Sequence, residues 1–306
     1  ELPLATPLDG AVVVIDIASG DILAMVSIPS FSHTALESEP GRIFGDSERT
    51  PFLNRAIAKS YPPGSIVKPL MLCAAMSARK LGIGDSIECT GHFFPSKPTL
   101  YRCWVYKQSN NTRTHGAIDA PEAIQVSCNI FFFELGQRLG PPGVTDWYTR
   151  FGVGPPAEPW NLYGPPPQIE RLPGESEQSF AERQAAVLSQ RGLIFEYPGS
   201  LEREPERRGL PRPPLAMNEA ILMGIGQGPI TWTPLHAADT YATIARSGVK
   251  LTPRLRADVP QSRTDLKLDR AAVRQALEGL RRSANEQRGT THHLTIPERP
   301  PERIFN

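Results

Sequence analysis

The sequence lacks an excess of either charge. Its 33 Lys and Arg face 32 Asp and Glu, a formal net charge of +1, and so little imbalance argues against nucleic acid or an anionic membrane surface as a ligand. It also lacks an apolar run long enough to span a bilayer, and it has no signal peptide. Glu1 is not a natural start, so a leader or anchor removed ahead of it is expected. Repeats and low-complexity segments are absent. Cysteine is scarce, with four in 306 residues, whereas proline is abundant at 32, about twice the usual share. The prolines concentrate in Pro155 to Pro173 and Pro198 to Pro214. These read as surface loops of one long insert, not as domain linkers, because core-like segments resume after each. Length and apolar content suffice for one large domain or two smaller ones.

Along the chain, Ala11 to Asp16 and Ile22 to Ile28 are apolar runs flanking the turn chemistry of Ala18-Ser19-Gly20-Asp21, which predicts a β-hairpin. Its near-continuous apolar character predicts strands covered on both faces. Phe31 to Lys59 reads as irregular. A buried helix is predicted from Ser65 to near Gly82. Ile87 to Trp104 reads as loop and short strand, and Asp119-Ala-Pro121-Glu122 caps a helix reaching Val126. Ser127-Cys128-Asn129 interrupts it before a second apolar helix from Ile130 to Leu139. Glu177 to Gln190 is amphipathic. Met217 to Met223 leads into Gly224-Ile-Gly-Gln-Gly228, whose glycines allow close backbone approach. Thr233 and Pro234 start a helix to about Arg246, stopped by Gly248, and Asp269 caps a last helix through Arg282 with Val273, Leu277 and Leu280 on its inner face.

The chemistry centres on Tyr61-Pro62-Pro63-Gly64-Ser65-Ile66-Val67-Lys68-Pro69. Ser65 and Lys68 are three apart and share a helix face, so their side chains can touch. A serine hydroxyl attacks a carbonyl only when a base takes its proton, and a lysine serves only if its pKa falls from about 10.4 toward neutrality. Burial and the positive end of a helix dipole both act in that direction. Alone, the pattern equally suits a serine starting a helix whose lysine reaches solvent.

In order, the chain carries Ser65-x-x-Lys68, Ser127-Cys128-Asn129 at a break between apolar helices, and Gly224-Ile-Gly-Gln-Gly leading into Thr233-Pro-Leu. This set resembles the transpeptidase domain of class B penicillin-binding proteins, from the first hairpin almost to the C-terminus. Tyr101-Arg102-Cys103-Trp104, His115-Gly116 and Ser127-Cys128-Asn129-Ile-Phe-Phe-Phe look most like the elongation-type branch. The resemblance implies an α/β fold of the penicillin-binding-protein and serine β-lactamase kind, with a helical subdomain and a central antiparallel sheet. It divides residues 1–306 into a hairpin and lead-in (1–60), a mainly helical region (61–250), and a last helix with its tail (251–306).

By the same resemblance, Ser65 would attack a D-Ala-D-Ala stem peptide and Lys68 would accept its proton. Ser127 would relay a proton to the departing amine, and Asn129 would hold the peptide amide. β-Lactams would acylate the same serine. Implied surroundings are the extracytoplasmic face of a bacterial inner membrane, a membrane glycosyltransferase and elongation-complex proteins. No cofactor is required for the chemistry. Other readings are a non-catalytic penicillin-binding scaffold and a serine β-lactamase or β-lactam sensor. One departure stands out: the family's Lys-Thr-Gly triplet does not occur in this sequence. It would follow a segment like Arg288-Gly-Thr-Thr291 and Pro297-Glu-Arg, so the sheet supplied here is expected to be only its first two strands. Turnover by this chain alone is not expected.

Cys73 reads as a small core residue. Cys89, Cys103 and Cys128 with His115 form a structural zinc set by residue type, though not by finger spacing. The resemblance adds that some elongation-type members hold a metal at matching positions. A Cys89–Cys103 disulfide and unlinked thiols remain open. Trp104, Trp147, Trp160 and Trp232 read as core or groove wall. The other histidines, the Glu202 to Arg208 charges and the Asn110-Asn111-Thr112 sequon carry no functional reading.

Overall fold

The computed structural model describes residues 8–107, 112–153, 171–190 and 214–294, with the short strand pieces 160–161, 194–195 and 199–200. Most of the Pro155 to Pro214 insert, the Glu202 to Arg208 stretch, Asn110, Asn111 and Pro297-Glu-Arg lie outside the described residues.

Strands β1 (Gly10–Ile15) and β2 (Ile22–Ile28) form the expected antiparallel hairpin, with Val12 opposite Val26 and Val13 opposite Met25. Alternation along β1 sends Ala11, Val13 and Ile15 inward, and across a shift of register between Val14 and Ile15 their partners Ile22 and Met25 join them against Ala56, Ile57 and Leu235. The opposite face is open, with Val12, Val14, Val26 and Ile28 each 44–56% exposed. The expectation of strands covered on both faces is therefore corrected: among the described residues, packing elements lie on one side only.

Residues 31–59, read as irregular, contain three short helices: α1 (His33–Ser38), α2 (Pro40–Gly45) and α3 (Arg55–Ala58). Buried Arg55 ties this lead-in together by donating to the carbonyls of Arg49 and Thr50 and to the Thr50 hydroxyl.

The predicted Ser65 helix is two elements, a 3₁₀ turn (Gly64–Val67) and α4 (Lys68–Ser77). A proline without an N–H is the cause. An α-helix through Ser65 would need Pro69 to donate to the Ser65 carbonyl, so that carbonyl takes the Lys68 N–H instead, which is the tighter i to i+3 bond. At the other end Arg79 adopts a left-handed backbone (φ 57°), and the Arg79 and Lys80 amides turn back onto Met76 and Ala75, ending the helix short of Gly82. Every residue from Lys68 to Met76 is buried. A helix apolar on all sides needs cover on all sides.

That cover comes from elements downstream. Strands β3 (Ile87–Cys89) and β4 (Gly116–Ile118) pair, then α5 (Ala120–Gln125) starts where the Asp119 carboxylate accepts the Glu122 amide. Helix α6 spans Asn129–Arg150 and breaks at Gly140 (φ 66°, ψ 174°). The predicted end at Leu139 missed its second half, because Pro141 and Pro142 sit where a restarting helix needs no donor. Helix α7 (Glu177–Gln190) lies where predicted.

Helix α8 (Met217–Met223) packs on α6 so closely that a side chain on Gly136 or Gly224 would strike backbone of the other segment. The buried Tyr148 hydroxyl donates to the Met223 carbonyl at 2.7 Å across that contact. Helix α9 (Pro234–Ala245) starts at Thr233, whose hydroxyl accepts the His236 amide, and ends at Ser247 and Gly248 with positive φ. Strands β5 (Val249–Leu251) and β6 (Arg263–Asp265) pair ahead of α10 (Arg270–Asn285). The architecture is α/β: helices with small antiparallel sheets.

Asp269 caps α10 as expected, but Leu277 does not belong to its inner face. It is 41% exposed, and Ala272, Val273, Ala276 and Gly279 are the residues turned inward. Small residues let α10 approach α5, where a Cβ at Gly279 would sit 2.7 Å from Ile124 Cβ. Gly279→Ala should therefore destabilise the protein by about 1–3 kcal/mol through overpacking, while Leu277→Ala should cost less than about 1 kcal/mol. Thermal or urea melts showing the reverse order would contradict this packing.

Candidate active site

Lys68 is 2% exposed in the middle of the apolar core, and an ammonium there needs partners. It has three donors, and the turn at Ser127–Asn129 takes all three. Its Nζ lies 2.8 Å from the Ser127 carbonyl, 2.8 Å from Ser127 Oγ and 2.9 Å from Asn129 Oδ1. The Phe132 ring lies 5.5 Å away on another side. Burial pushes the Lys68 pKa down to about 8, partly opposed by the Cys128 and Cys103 thiols. The fall expected for a lysine serving as base is thus present, and desolvation is its main cause.

Ser65 stands one 3₁₀ turn before Lys68, a geometry in which residues three apart eclipse. It is exposed, and among the described residues nothing hydrogen-bonds its hydroxyl. The expected Ser65–Lys68 contact is thus not a hydrogen bond here, because the lysine's three N–H groups all point at the second motif.

The serine's main chain is held by three contacts from residues 226–241. The Gly64 amide donates to the Gly226 carbonyl at 3.0 Å, and a Cβ on Gly226 would lie 2.1 Å from the Gly64 oxygen. Tyr61 and Trp232 exchange backbone bonds at 2.8 Å. The Tyr241 hydroxyl, on α9, donates to the Ile66 carbonyl at 3.0 Å. The glycine cluster was legible as a place of close approach. Tyr241 was not, since no local pattern marks an aromatic residue whose oxygen reaches a turn 175 residues away.

Ser127 carries the turn between α5 and α6 with a left-handed backbone (φ 51°), unusual for a residue with a side chain. That twist sets Ser127 and Asn129 toward Lys68 and leaves Cys128 fully buried between them. Asn129 is held at both ends: Oδ1 accepts from Lys68, and Nδ2 donates to the Arg102 carbonyl at 3.2 Å. One N–H and one lone pair of its amide stay available to a bound peptide.

Behind the turn, Cys89, Cys103, His115 and Cys128 converge. His115 Nδ1 lies 3.6 Å from Cys89 Sγ and 3.5 Å from Cys103 Sγ, and Cys103 Sγ lies 3.9 Å from Cys128 Sγ. All four ligand atoms fall within 4.8 Å of one another. Zinc bonds of about 2.3 Å to sulfur and 2.0 Å to nitrogen, at tetrahedral angles, correspond to edges of about 3.8 and 3.5 Å. The donor set fits such an ion. All four cysteines of the chain are free thiols, so the Cys89–Cys103 disulfide reading is not what the structure shows.

Without an ion the cluster holds its protons unevenly, and zinc would displace those of His115 and of Cys128, whose thiol its sulfur neighbours hold above the usual range. Hydrogen bonding from Cys128 and Cys89 holds the Cys103 thiol far below its usual range, and the Asn129 amide also donates to it, at 3.4 Å. Although burial works against its charge, His115 is raised to about 9 by the Cys103 and Cys89 sulfurs.

A buried lysine bound to a Ser-x-Asn turn, an exposed serine three residues before it and a glycine loop against that serine's turn are what a penicillin-recognising transpeptidase fold assembles. The chain belongs to the penicillin-binding protein transpeptidase domain family, whose model matches residues 10–301. Among curated relatives it is 31% identical to the peptidoglycan D,D-transpeptidase MrdA of Acinetobacter baumannii, over 80% of this chain and 32% of that protein. It is 27% identical to the peptidoglycan D,D-transpeptidase PbpA of Mycobacterium tuberculosis, over 81% of this chain and 43% of that protein.

The chain therefore spans between about a third and somewhat over two fifths of the relatives it matches. Their names support the elongation-type, class B resemblance. Among solved structures, Pseudomonas aeruginosa PBP2 in complex with WCK 5153 matches with a TM-score of 0.69 at 24% identity, over 93% of this chain and 59% of that one. Helicobacter pylori PBP2 in complex with MreC matches at 0.67 and 21% identity, over 93% and 47%.

Removing the Tyr241 hydroxyl should loosen the serine's turn without unfolding α9. Tyr241→Phe should speed hydrogen exchange in residues 64–68 about fivefold, the equivalent of about 1 kcal/mol. Unchanged exchange would mean that the Ile66 carbonyl finds no support there.

Proposed function

We propose that this chain forms the acyl-transfer site of a peptidoglycan D,D-transpeptidase, with Ser65 as nucleophile and Lys68 as the base that takes its proton. The observation that carries the reading is the Lys68 hydrogen-bond set. As an ammonium, Lys68 has no lone pair and spends all three N–H groups on Ser127 and Asn129. As a neutral amine it keeps two of those bonds and gains a lone pair for the Ser65 proton.

Ser65 Oγ then bonds to the carbonyl carbon of the penultimate D-alanine. The peptide C–N bond breaks and the terminal D-alanine leaves, its nitrogen protonated through Ser127. The acyl group passes to the amine of a second stem peptide, regenerating the serine. A β-lactam would acylate Ser65 by the same attack. Asn129 offers its free N–H to the peptide carbonyl. The D-alanine carboxylate and half of the oxyanion hole call for a Lys-Thr-Gly strand, which this sequence does not contain. In this reading the chain alone does not turn over.

The proposed setting is the extracytoplasmic face of a bacterial inner membrane, beside a glycosyltransferase. Among the described residues, no helix is long and apolar enough to cross a membrane. The H. pylori relative found with MreC supports an elongation partner of that kind.

The proposal includes a structural zinc ion on Cys89, Cys103, His115 and Cys128. Its role there is to fix the donors, and through Cys128 and the Asn129 amide to hold Ser127 and Asn129 from behind.

Two measurements test these readings. A fluorescent penicillin should label the protein as encoded and fail to label Ser65→Ala. The labelling rate should rise with pH and reach half its maximum near 8, because the base works only above the depressed Lys68 pKa. Lys68→Arg should slow labelling by about 10²–10⁴-fold, since a guanidinium does not deprotonate. Persistent labelling of Ser65→Ala would remove the mechanism, and rapid release of label would point to a β-lactamase. For the ion, elemental analysis of protein purified without chelator should give one zinc per chain, lost in Cys103→Ser together with several degrees of melting temperature. Metal-free wild-type protein would end that part.

A further inference from the structure

The Ser127–Asn129 turn takes the three N–H groups of Lys68, and a further residue faces the nitrogen without a hydrogen bond. Lys68 Nζ lies over the Phe132 ring, 5.5 Å from its centroid. Phe132 follows Asn129 by three residues in the first turn of α6, so the two side chains share a helix face. Its ring is fully buried, and the end of α8 pins its main chain: a Cβ on Gly224 would lie 2.1 Å from the Phe132 oxygen. The Phe131 ring, 5.4 Å away and tilted by 55°, bounds it on another side.

The ring and the hydrogen-bond partners act differently on the lysine. The partners serve both of its protonation states, since a neutral amine keeps two of the three bonds. The face of an aromatic ring carries negative charge density, which attracts a cation and leaves a neutral amine almost untouched. That attraction is strongest where water is excluded, as it is here. Burial alone can carry a lysine several units below its ordinary range, past the point where it competes well for a serine proton. A contact that favours only the protonated form opposes that fall.

We propose that Phe132 is a positioning residue for acyl transfer, its ring face holding the ammonium that forms when Lys68 takes the Ser65 proton. In that step the Oγ–H bond breaks, an N–H bond forms on Nζ, and the electron pair left on Oγ attacks the carbonyl carbon. The inference rests on the transpeptidase reading for the source of the proton, while the ring acts on the ammonium whatever that source. Other charges around Lys68 are few. The Cys128 and Cys103 thiols behind the turn act to raise it. Cys73, on the same helix, is pushed up to about 12 by burial and by Asp269. On the elements packed against α4, Glu122 of α5 pairs with Arg288, Glu134 of α6 with Arg138, and Glu278 of α10 with Arg281 and Arg282.

Ring fluorination tests this, because each fluorine draws charge from the ring face while altering its size little. The protein as encoded would carry phenylalanine with one, two or three ring fluorines at position 132. Labelling by a fluorescent penicillin should reach half its maximal rate at a pH that falls with each fluorine, by about half a unit to one unit over the series. Phe132→Leu, apolar but without a π face, should match the protein with three fluorines. The same series built on Ser65→Ala, with the Lys68 Nζ followed by NMR, should show an equal fall in the titration of the lysine itself. Three fluorines on the ring at position 131 should shift neither.

A Lys68 titration that ignores fluorine at position 132, or that answers equally to fluorine at position 131, would overturn the inference. A titration that falls while the labelling profile stays fixed would uphold the ring's hold on the ammonium and remove Lys68 as the base, so the two failures are distinguishable.

Discussion

An ammonium group buried where water cannot reach it constrains the rest of this structure. Lys68 sits 2% exposed inside an otherwise apolar helix, a place that would cost several kcal/mol without compensation. The compensation is local and complete: one carbonyl, one hydroxyl and one amide oxygen, all from the turn at Ser127–Asn129. The break between α5 and α6 follows from that requirement, since a continuous helix would place neither the Ser127 carbonyl nor its hydroxyl in the lysine's path. The depressed pKa comes from the same burial. Packing and reactivity here have a single cause.

Distant parts of the chain meet around this point with distinct tasks. The proline at 69 forces the 3₁₀ turn that presents Ser65. Residues 226–241 hold that turn by main-chain contacts and one tyrosine hydroxyl. The thiol and imidazole cluster backs the Ser127 turn through Cys128 and through the Asn129 amide on Cys103. The lysine's partners are therefore immobilised from the side away from the cleft, while the cleft side stays open at Ser65.

Much of the site was readable in sequence because it depends on local rules: a proline-glycine turn before Ser65, an apolar run that buries Lys68, a helix break at Ser127. Helix caps at Asp119, Thr233 and Asp269 were legible for the same reason. What escaped reading depends on tertiary approach. The inner face of α10 is built from alanine and glycine, so a search for large apolar residues picked Leu277, which faces out. The second half of α6 hid behind two prolines whose effect reverses at a helix start. The open face of the hairpin shows the converse limit: a valine-rich strand reads as covered whether or not anything in the structure covers it.

Ser127 carries a consequence of its own. Its left-handed backbone would suit glycine, the residue with no steric objection to φ near 51°. Glycine, however, would bring no oxygen to Lys68. The local backbone asks for glycine while the buried lysine asks for an oxygen, and serine meets the second demand at the expense of a strained main chain. Glycine there would leave one N–H of a buried ammonium without a partner, a loss that relief of the main chain does not offset.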